Sequence, residues 1–143
     1  MLYFDTNYLV RLYLDEPGAD LVRAMAEGHE IASSVLGRIE SVAAFHRTYR
    51  EQKLTSAQYQ ALLDEFNRDD AENAFVWLSG GNELFPILEK IYRKAPPTLF
   101  LRAADALHLA CAKENGFKEI YSNDKRMLEA APLFGLKAKN VIK

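Results

Sequence analysis

An aspartate, Asp105, lies inside an apolar helical segment at residues 100–112, "FLRAADALHLACA". Leu101 and Leu109 lie one helical turn to either side and share its face. An ionised carboxylate removed from water is strongly destabilising unless a positive group pairs with it, and aspartate is a poor helix former. The pattern therefore indicates that Asp105 faces something positive. Arg102, three residues earlier, is one such partner, but we favour a chemical role for this acid.

Three further acids lie at positions that suit a site. Asp5 ends the first apolar run in "YFDTN", Asp124 follows a later run in "IYSND", and Glu40 borders the apolar stripe of "VLGRIESVAAF". Each has a simple structural explanation when it is considered alone. Asp5 and Asp124 are suited to capping a helix. Glu40 is suited to a surface ion pair with Arg38 or Arg47.

The elements that must position these acids alternate along the chain. Short apolar runs, typical of buried strands, are separated by segments with apolar residues at helical spacing. Strands are predicted at residues 2–5, 30–34, 74–79, 117–124 (ending in a polar turn) and 139–142, and helices at 6–16, 19–28, 35–53, 54–73, 82–95, 100–112 and 125–135. This alternation predicts an α/β fold with a mostly parallel central sheet.

A parallel sheet would bring the four acids to one edge, because such sheets place their sites beyond the carboxyl ends of the strands. Clustered carboxylates take up protons unless a cation offsets their repulsion. Oxygen ligands suit hard ions such as Mg²⁺ or Mn²⁺, whereas the histidines that a zinc site would need, His29, His46 and His108, are scattered. Because Mg²⁺ held by acids commonly acts on phosphate esters, phosphodiester hydrolysis is the predicted chemistry.

Length and composition favour a single domain over residues 1–143. The chain is 49% hydrophobic and 27% charged, which is ordinary for a globular protein that can bury its own core. Three features favour a cytoplasmic location. The chain has one cysteine, Cys111, it has no recognisable signal peptide, and it has no apolar run near the ~20 residues of a membrane span.

Four segments of the chain occur in an order and at separations that resemble a known family. They are "YFDTN", "SSVLGRIE", "RAADALHLACA" and "IYSND". Together they span nearly the whole chain and resemble the PIN-domain nucleases, most closely the VapC-like toxins of bacterial and archaeal type II toxin–antitoxin pairs. Each segment is weak evidence alone, whereas the ordered set is a specific pattern.

The resemblance implies a PIN-like α/β/α sandwich and an endoribonuclease that hydrolyses RNA phosphodiesters with a metal-activated water. The catalytic acids that would bind Mg²⁺ or Mn²⁺ are Asp5, Glu40, Asp105 and Asp124, with Thr6, Asn7 and Ser122 in support. The resemblance also implies a homodimer and a small cognate antitoxin that covers the site. On this interpretation, Asp105 tolerates its apolar surroundings because Asp5 and Glu40 meet it around the divalent cation.

Local cations would have to bind the RNA, because the net charge of −2 gives no overall electrostatic footprint for nucleic acid. The candidates for RNA contacts are Arg47, Arg50, Lys125 and Arg126. Contacts from such side chains to phosphate would give affinity but little choice of sequence.

Two other classes of protein agree with parts of this sequence. A catalytically silent PIN-like module that binds RNA or acts as a scaffold is disfavoured, because none of the four acids is replaced by a neutral residue. A phosphatase of the haloacid-dehalogenase type also begins with an aspartate after its first strand. That mechanism usually needs a second acid two residues later, where this chain has Asn7.

Overall fold

Strands and helices alternate along residues 1–142, the part of the chain that the computed structural model describes. The strands are β1 (Leu2–Tyr3), β2 (Ile31–Ser34), β3 (Phe75–Leu78), β4 (Glu119–Tyr121) and β5 (Lys137–Lys139). The helices are α1 (Thr6–Arg11), α2 (Ala19–Ala26), α3 (Val35–Arg50), α4 (Ser56–Ala71), α5 (Phe85–Lys94), α6 (Ala103–Glu114) and α7 (Lys125–Ala130), with 3₁₀ turns at Asn82–Leu84 and Ala131–Phe134. The α/β fold predicted from the alternation is confirmed.

The strand pairs are parallel, as the sequence predicts for the sheet. β2 lies between β1 and β3, and β4 pairs with β5. A parallel bridge between Phe4 and Tyr121 connects the two groups, so the strands follow the spatial order β3-β2-β1-β4-β5. The chain moves outward from β1 to β3 and then returns to the other side of β1. In open α/β sheets, the crevice at such a reversal is where ligands bind.

Side chains of the first strand point to opposite faces of the sheet and enter different cores. Tyr3 belongs to a buried cluster built with α5, α6 and α7. Phe4 belongs to a second cluster built with α1, α2, α3 and α4. Helices therefore cover both faces of the sheet, as the predicted sandwich requires.

Polar residues at the ends of strands begin several of the helices. The side chains of Asp5, Ser34 and Asp124 accept hydrogen bonds from backbone N–H groups in the first turns of α1, α3 and α7. Thr55 and Gln58 form a reciprocal capping box at the start of α4. These caps satisfy N–H groups that a helix leaves without partners.

Several predicted boundaries differ from the structure by two residues or more, and a tertiary contact explains two of these differences. The first helix was expected over residues 6–16 but ends at Arg11, whose guanidinium donates to the carbonyl of Pro17 and stabilises the intervening turn. The last strand was expected over residues 139–142 but lies at Lys137–Lys139, where β5 pairs with β4. Asn140 instead accepts a hydrogen bond from the Tyr8 hydroxyl, which ties this end of the chain to α1.

Within residues 1–142, none of the helices has the length and apolar character needed to cross a membrane.

Candidate functional site

A cavity of about 600 Å³ opens at the carboxyl ends of the central strands. All four predicted acids line it. Asp5 follows β1, Asp124 follows β4, Glu40 lies on α3, and Asp105 lies on α6. Elements far apart in the chain thus bring these carboxylates to a single edge of the sheet.

Asp5 is held rigidly at the base of this cavity. It is only 3% exposed, and its Oδ1 accepts a hydrogen bond from the Tyr8 N–H at 3.0 Å. The buried hydroxyl of Ser122 donates to the other oxygen, Oδ2. Burial raises the pKa of Asp5 to about 6, although the hydrogen bond from Ser122 opposes the change.

Glu40 is oriented by two side chains from other elements. The Thr6 hydroxyl donates to Glu40 Oε1 at 2.7 Å, and His108 Nε2 lies 2.9 Å from the same oxygen. Partial burial raises the pKa of Glu40, but the hydrogen bonds from His108 and Thr6 outweigh it and hold the pKa below its usual value. The alternative ion pair with Arg38 is not formed, because Arg38 pairs with Asp70.

The imidazole of His108 is itself fixed by Tyr3. His108 is 2% exposed, and its Nδ1 lies 2.9 Å from the hydroxyl of the fully buried Tyr3. Because Glu40 Oε1 accepts, Nε2 carries the hydrogen, and Nδ1 then accepts from the tyrosine hydroxyl. A chain of hydrogen bonds therefore runs from β1 through α6 to the carboxylate on α3.

Arg102 provides the positive partner of Asp105. Its Nε donates to Asp105 Oδ2 at 2.8 Å, and one terminal nitrogen lies 3.3 Å from Asp105 Oδ1. That same nitrogen donates to Asp124 Oδ2 at 2.7 Å. The ion pair between Arg102 and Asp105, which is the simpler explanation of this acid, is thus present. The same guanidinium also binds Asp124, the acid that follows β4.

The chemistry of these donors fits a hard divalent cation, because the cavity wall offers carboxylate oxygens from the four predicted acids. In their present positions, however, no three His, Cys, Asp or Glu side chains among residues 1–142 are close enough together to hold a metal ion. The buried carboxylate of Asp5, whose raised pKa shows the cost of its charge, would gain most from such an ion.

Other predicted residues divide between the cavity and the surface outside it. Thr6, Asn7, Arg47 and Arg50 line the cavity. Ser122 lies behind Asp5, as its hydrogen bond requires. Lys125 points into solvent, with Glu129 4.0 Å away. Arg126 lies over the ring of Phe100, at 4.4 Å, and neither cation is part of the cavity lining.

The hydrogen-bonding roles of Tyr3 and His108 were missed from the sequence. His108 lies three residues after Asp105, and that spacing on a helix was the available signal. Tyr3 gave no signal, because its partner lies 105 residues away and the strand around it is simply apolar.

Comparison with known proteins identifies the family of this chain. The sequence pattern of the PIN domain matches residues 2–132. FitAcB from Neisseria gonorrhoeae shares the fold with a TM-score of 0.76 at 17% identity, over 98% of this chain and 97% of that chain. VapBC2 from Rickettsia felis, solved with a DNA fragment from its promoter, has a TM-score of 0.66 at 17% identity over 98% of both chains.

A toxin–antitoxin complex from Klebsiella pneumoniae is also similar, with a TM-score of 0.60 at 18% identity over 93% of this chain and 94% of that chain. No curated protein matches the sequence. The structural similarities establish the fold, and the sequence pattern covers most of the chain. The protein therefore belongs to the PIN domain family.

Proposed function

We propose that this protein is a metal-dependent endoribonuclease and the toxin of a toxin–antitoxin pair. PIN domains are typically nucleases and generally use divalent metal ions. The observation that carries the proposal is the convergence of Asp5, Glu40, Asp105 and Asp124 on one cavity at the carboxyl edge of a parallel sheet. A set of carboxylates in a solvent-accessible cavity is suited to a divalent ion that acts on a phosphodiester.

In this proposal the four acids hold the metal ion, and neighbouring groups orient two of them. Asp5, Glu40, Asp105 and Asp124 would hold Mg²⁺ or Mn²⁺, which when bound supplies positive charge for the scissile phosphate and lowers the pKa of the attacking water. Ser122 and the Tyr8 N–H fix the direction of the Asp5 carboxylate. Thr6 and His108 do the same for Glu40.

The cationic part of the cavity wall supports RNA as the substrate. Arg47 and Arg50 project from the last turn of α3 into the cavity that the acids line. Guanidinium groups there would bind phosphates on either side of the scissile bond. Such contacts place the strand over the acids without selecting a base, so they support cleavage of RNA but name no target sequence.

The toxin assignment and the protein partners come from the similar structures. The complex from Klebsiella pneumoniae is a toxin–antitoxin complex, and VapBC2 was solved with promoter DNA. We infer that this chain also has a cognate antitoxin, which covers the acidic cavity and holds the enzyme inactive. We further infer that the chain forms a homodimer. Its place of action would be the cytoplasm, where RNA and such a partner are available.

The test is cleavage of a mixed structured RNA by the purified protein in Mn²⁺ or Mg²⁺. Parallel reactions contain EDTA, the Asp5→Asn variant and the Asp64→Asn variant. Asp5→Asn keeps the shape of a ligand while removing its charge. Asp64→Asn makes the same chemical change at an exposed position on α4, away from the cavity.

We expect metal-dependent cleavage by the wild type and by Asp64→Asn, and at least about a hundredfold loss in Asp5→Asn and in EDTA, as for removal of a charge-stabilising group in an active site. Cleavage that persists in Asp5→Asn would contradict the assigned site. RNA binding without any cleavage by the wild type would instead favour a catalytically silent RNA-binding module.

A further inference from the structure

Arg102 occupies a position in the cavity that the proposed metal site leaves unexplained. It precedes α6 with an extended backbone, and its side chain makes no capping hydrogen bond. The guanidinium instead reaches Asp105 through Nε and one terminal nitrogen, and that terminal nitrogen also reaches Asp124, at 2.7 to 3.3 Å. One side chain therefore bridges two carboxylates that belong to different elements.

We propose that Arg102 is a built-in counter-ion that holds the place of the divalent cation between Asp105 and Asp124, so that the metal must displace it to bind. This inference rests on the proposed function, because it concerns the same acids. The carboxylate oxygens that would ligate the ion are the atoms that accept from Arg102. A metal ion bound to these oxygens would lie beside the guanidinium, and because the two positive charges repel, the two cations compete for the same acids.

The present arrangement of the acids agrees with such competition. Asp105 is 7% exposed, and Arg102 offsets the charge that burial would otherwise leave unpaired. With both Asp105 and Asp124 turned to the guanidinium, no group of three metal-ligating side chains converges within residues 1–142. Removing Arg102 would leave two neighbouring carboxylates to repel one another, which favours their capture of another cation.

The exposure of Arg102 permits the exchange. Its side chain is 42% exposed, so the guanidinium can turn into water without first breaking up the core. An ion pair this exposed is individually weak. The competition therefore lowers the apparent metal affinity without abolishing it, since the fraction of protein with free acids multiplies the intrinsic affinity.

Calorimetric titration of Mn²⁺ into the wild type, Arg102→Gln and Arg47→Gln tests this directly. We expect Arg102→Gln to bind Mn²⁺ about tenfold more tightly than the wild type, which corresponds to about 1.4 kcal/mol. Arg47→Gln removes the same charge from the same cavity but from a side chain that forms no ion pair among residues 1–142, and it should change the Kd by less than about twofold.

Thermal unfolding provides a second readout that does not depend on activity. In EDTA, Arg102→Gln should melt below the wild type, because Asp105 and Asp124 lose their counter-ion. Mn²⁺ should then raise the Tm of the variant more than that of the wild type. Arg102→Lys keeps the charge but cannot donate to both acids in the same way, so its Mn²⁺ affinity should lie between those of the wild type and Arg102→Gln. If Arg102→Gln fails to fold, Arg102→Lys replaces it in the comparison with the wild type.

The outcomes separate this inference from the proposed function. If the wild type binds Mn²⁺ and Arg102→Gln binds it equally or more weakly, Arg102 does not compete with the metal, and the nuclease proposal still stands. An equal gain in Mn²⁺ affinity in Arg47→Gln would also overturn the inference, because the gain would then come from removing any positive charge from the cavity. Failure of every protein to bind Mn²⁺ would overturn both.

Discussion

At the scale of single residues, the four acids are held by donors of different kinds. Among residues 1–142, Asp5 accepts only from a backbone N–H and a hydroxyl, so no cation there touches the carboxylate directly. Asp105 and Asp124 share the guanidinium of Arg102. In this cavity, the negative charges of Asp105 and Asp124 are therefore offset by a bound cation, whereas that of the buried Asp5 is not. This asymmetry explains why the pKa of Asp5 is raised by its burial.

The hydroxyl of Tyr3 should stabilise the fold through His108. In Tyr3→Phe, the buried Nδ1 of His108 loses its hydrogen-bond donor and cannot reach water, since His108 is 2% exposed. A buried polar atom left unsatisfied costs about 1–3 kcal/mol. We expect the free energy of unfolding to fall by that amount, measured by urea denaturation followed by tryptophan fluorescence.

The matched control for this variant is Tyr59→Phe. Tyr59 is half-buried and stacks on Tyr49, and its hydroxyl makes no hydrogen bond within residues 1–142. Loss of that hydroxyl should change the free energy of unfolding by less than about 0.5 kcal/mol. Equal effects of the two variants would show that the contact between Tyr3 and His108 has no special part in stability.

The sequence points to the four acids as site candidates more readily than to the groups that orient them. Each acid breaks a local apolar pattern, so Asp5, Glu40, Asp105 and Asp124 could be selected from their immediate neighbours. Arg102 was recognisable as a partner of Asp105, because the two lie three residues apart. Its second contact, to Asp124, depends on how α6 packs against the end of β4, and nothing in the local sequence encodes that.

At the scale of elements, α3 must approach β2 and α6 closely for Glu40 to reach the cavity. Gly37 is the point of approach. A methyl group at this position would overlap Ser33 Oγ and come within 3.2 Å of His108 Cε1 and Leu9 Cδ1. The small residue in the first turn of this helix is therefore a packing requirement, although glycine weakens a helix.

Gly37→Ala should destabilise the protein despite its better helix propensity. The overlap forces α3 outward, and such overpacking costs about 1–3 kcal/mol, more than the roughly 1 kcal/mol that alanine contributes to a helix. We expect a lower free energy of unfolding in urea, together with weaker Mn²⁺ binding as Glu40 moves with the helix. A variant more stable than the wild type would refute this account of the contact.

A second substitution identifies the atom responsible. Ser33 Oγ is buried and has no hydrogen-bond partner within residues 1–142, so Ser33→Ala alone should be neutral or stabilising. Combined with Gly37→Ala, it removes the nearest clashing atom and should recover part of the lost stability. Simple additivity of the two changes would show that Ser33 is not the obstacle.

The sequence predicted the order and type of the elements more reliably than their ends. Alternating apolar runs and helical spacing identified the strands around Ile31 and Phe75 because local composition decides them. The end of α1 depends instead on a hydrogen bond from Arg11 to Pro17. The position of β5 depends on its register with β4, and both are tertiary contacts that the local pattern does not contain.

At the scale of the whole molecule, the reversal of strand order at β1 creates the site. Because β2 and β4 flank β1, the residues that follow these strands open on one crevice. The parallel sheet was predicted from the sequence, whereas the order of the strands was not, since pairing between distant segments leaves no local signal. The single domain over residues 1–143 stays a prediction.

The distribution of charge over the molecule leads to a prediction about RNA affinity. The net charge is −2, so RNA binding under the proposed function would depend on the cavity arginines that form no ion pair within residues 1–142, Arg47 and Arg50. In an Asp5→Asn background, which leaves RNA uncut, Arg47→Gln or Arg50→Gln should weaken binding of single-stranded RNA similarly for all sequences. Each should reduce the slope of log K against log salt by about 0.7.

Fluorescence anisotropy across a salt series measures both effects, with Lys90→Gln on α5, outside the cavity, as the control. If Lys90→Gln lowers affinity and slope as much as the arginine variants do, the RNA does not pass through this cavity, and the acids there cannot be the ones that cut it.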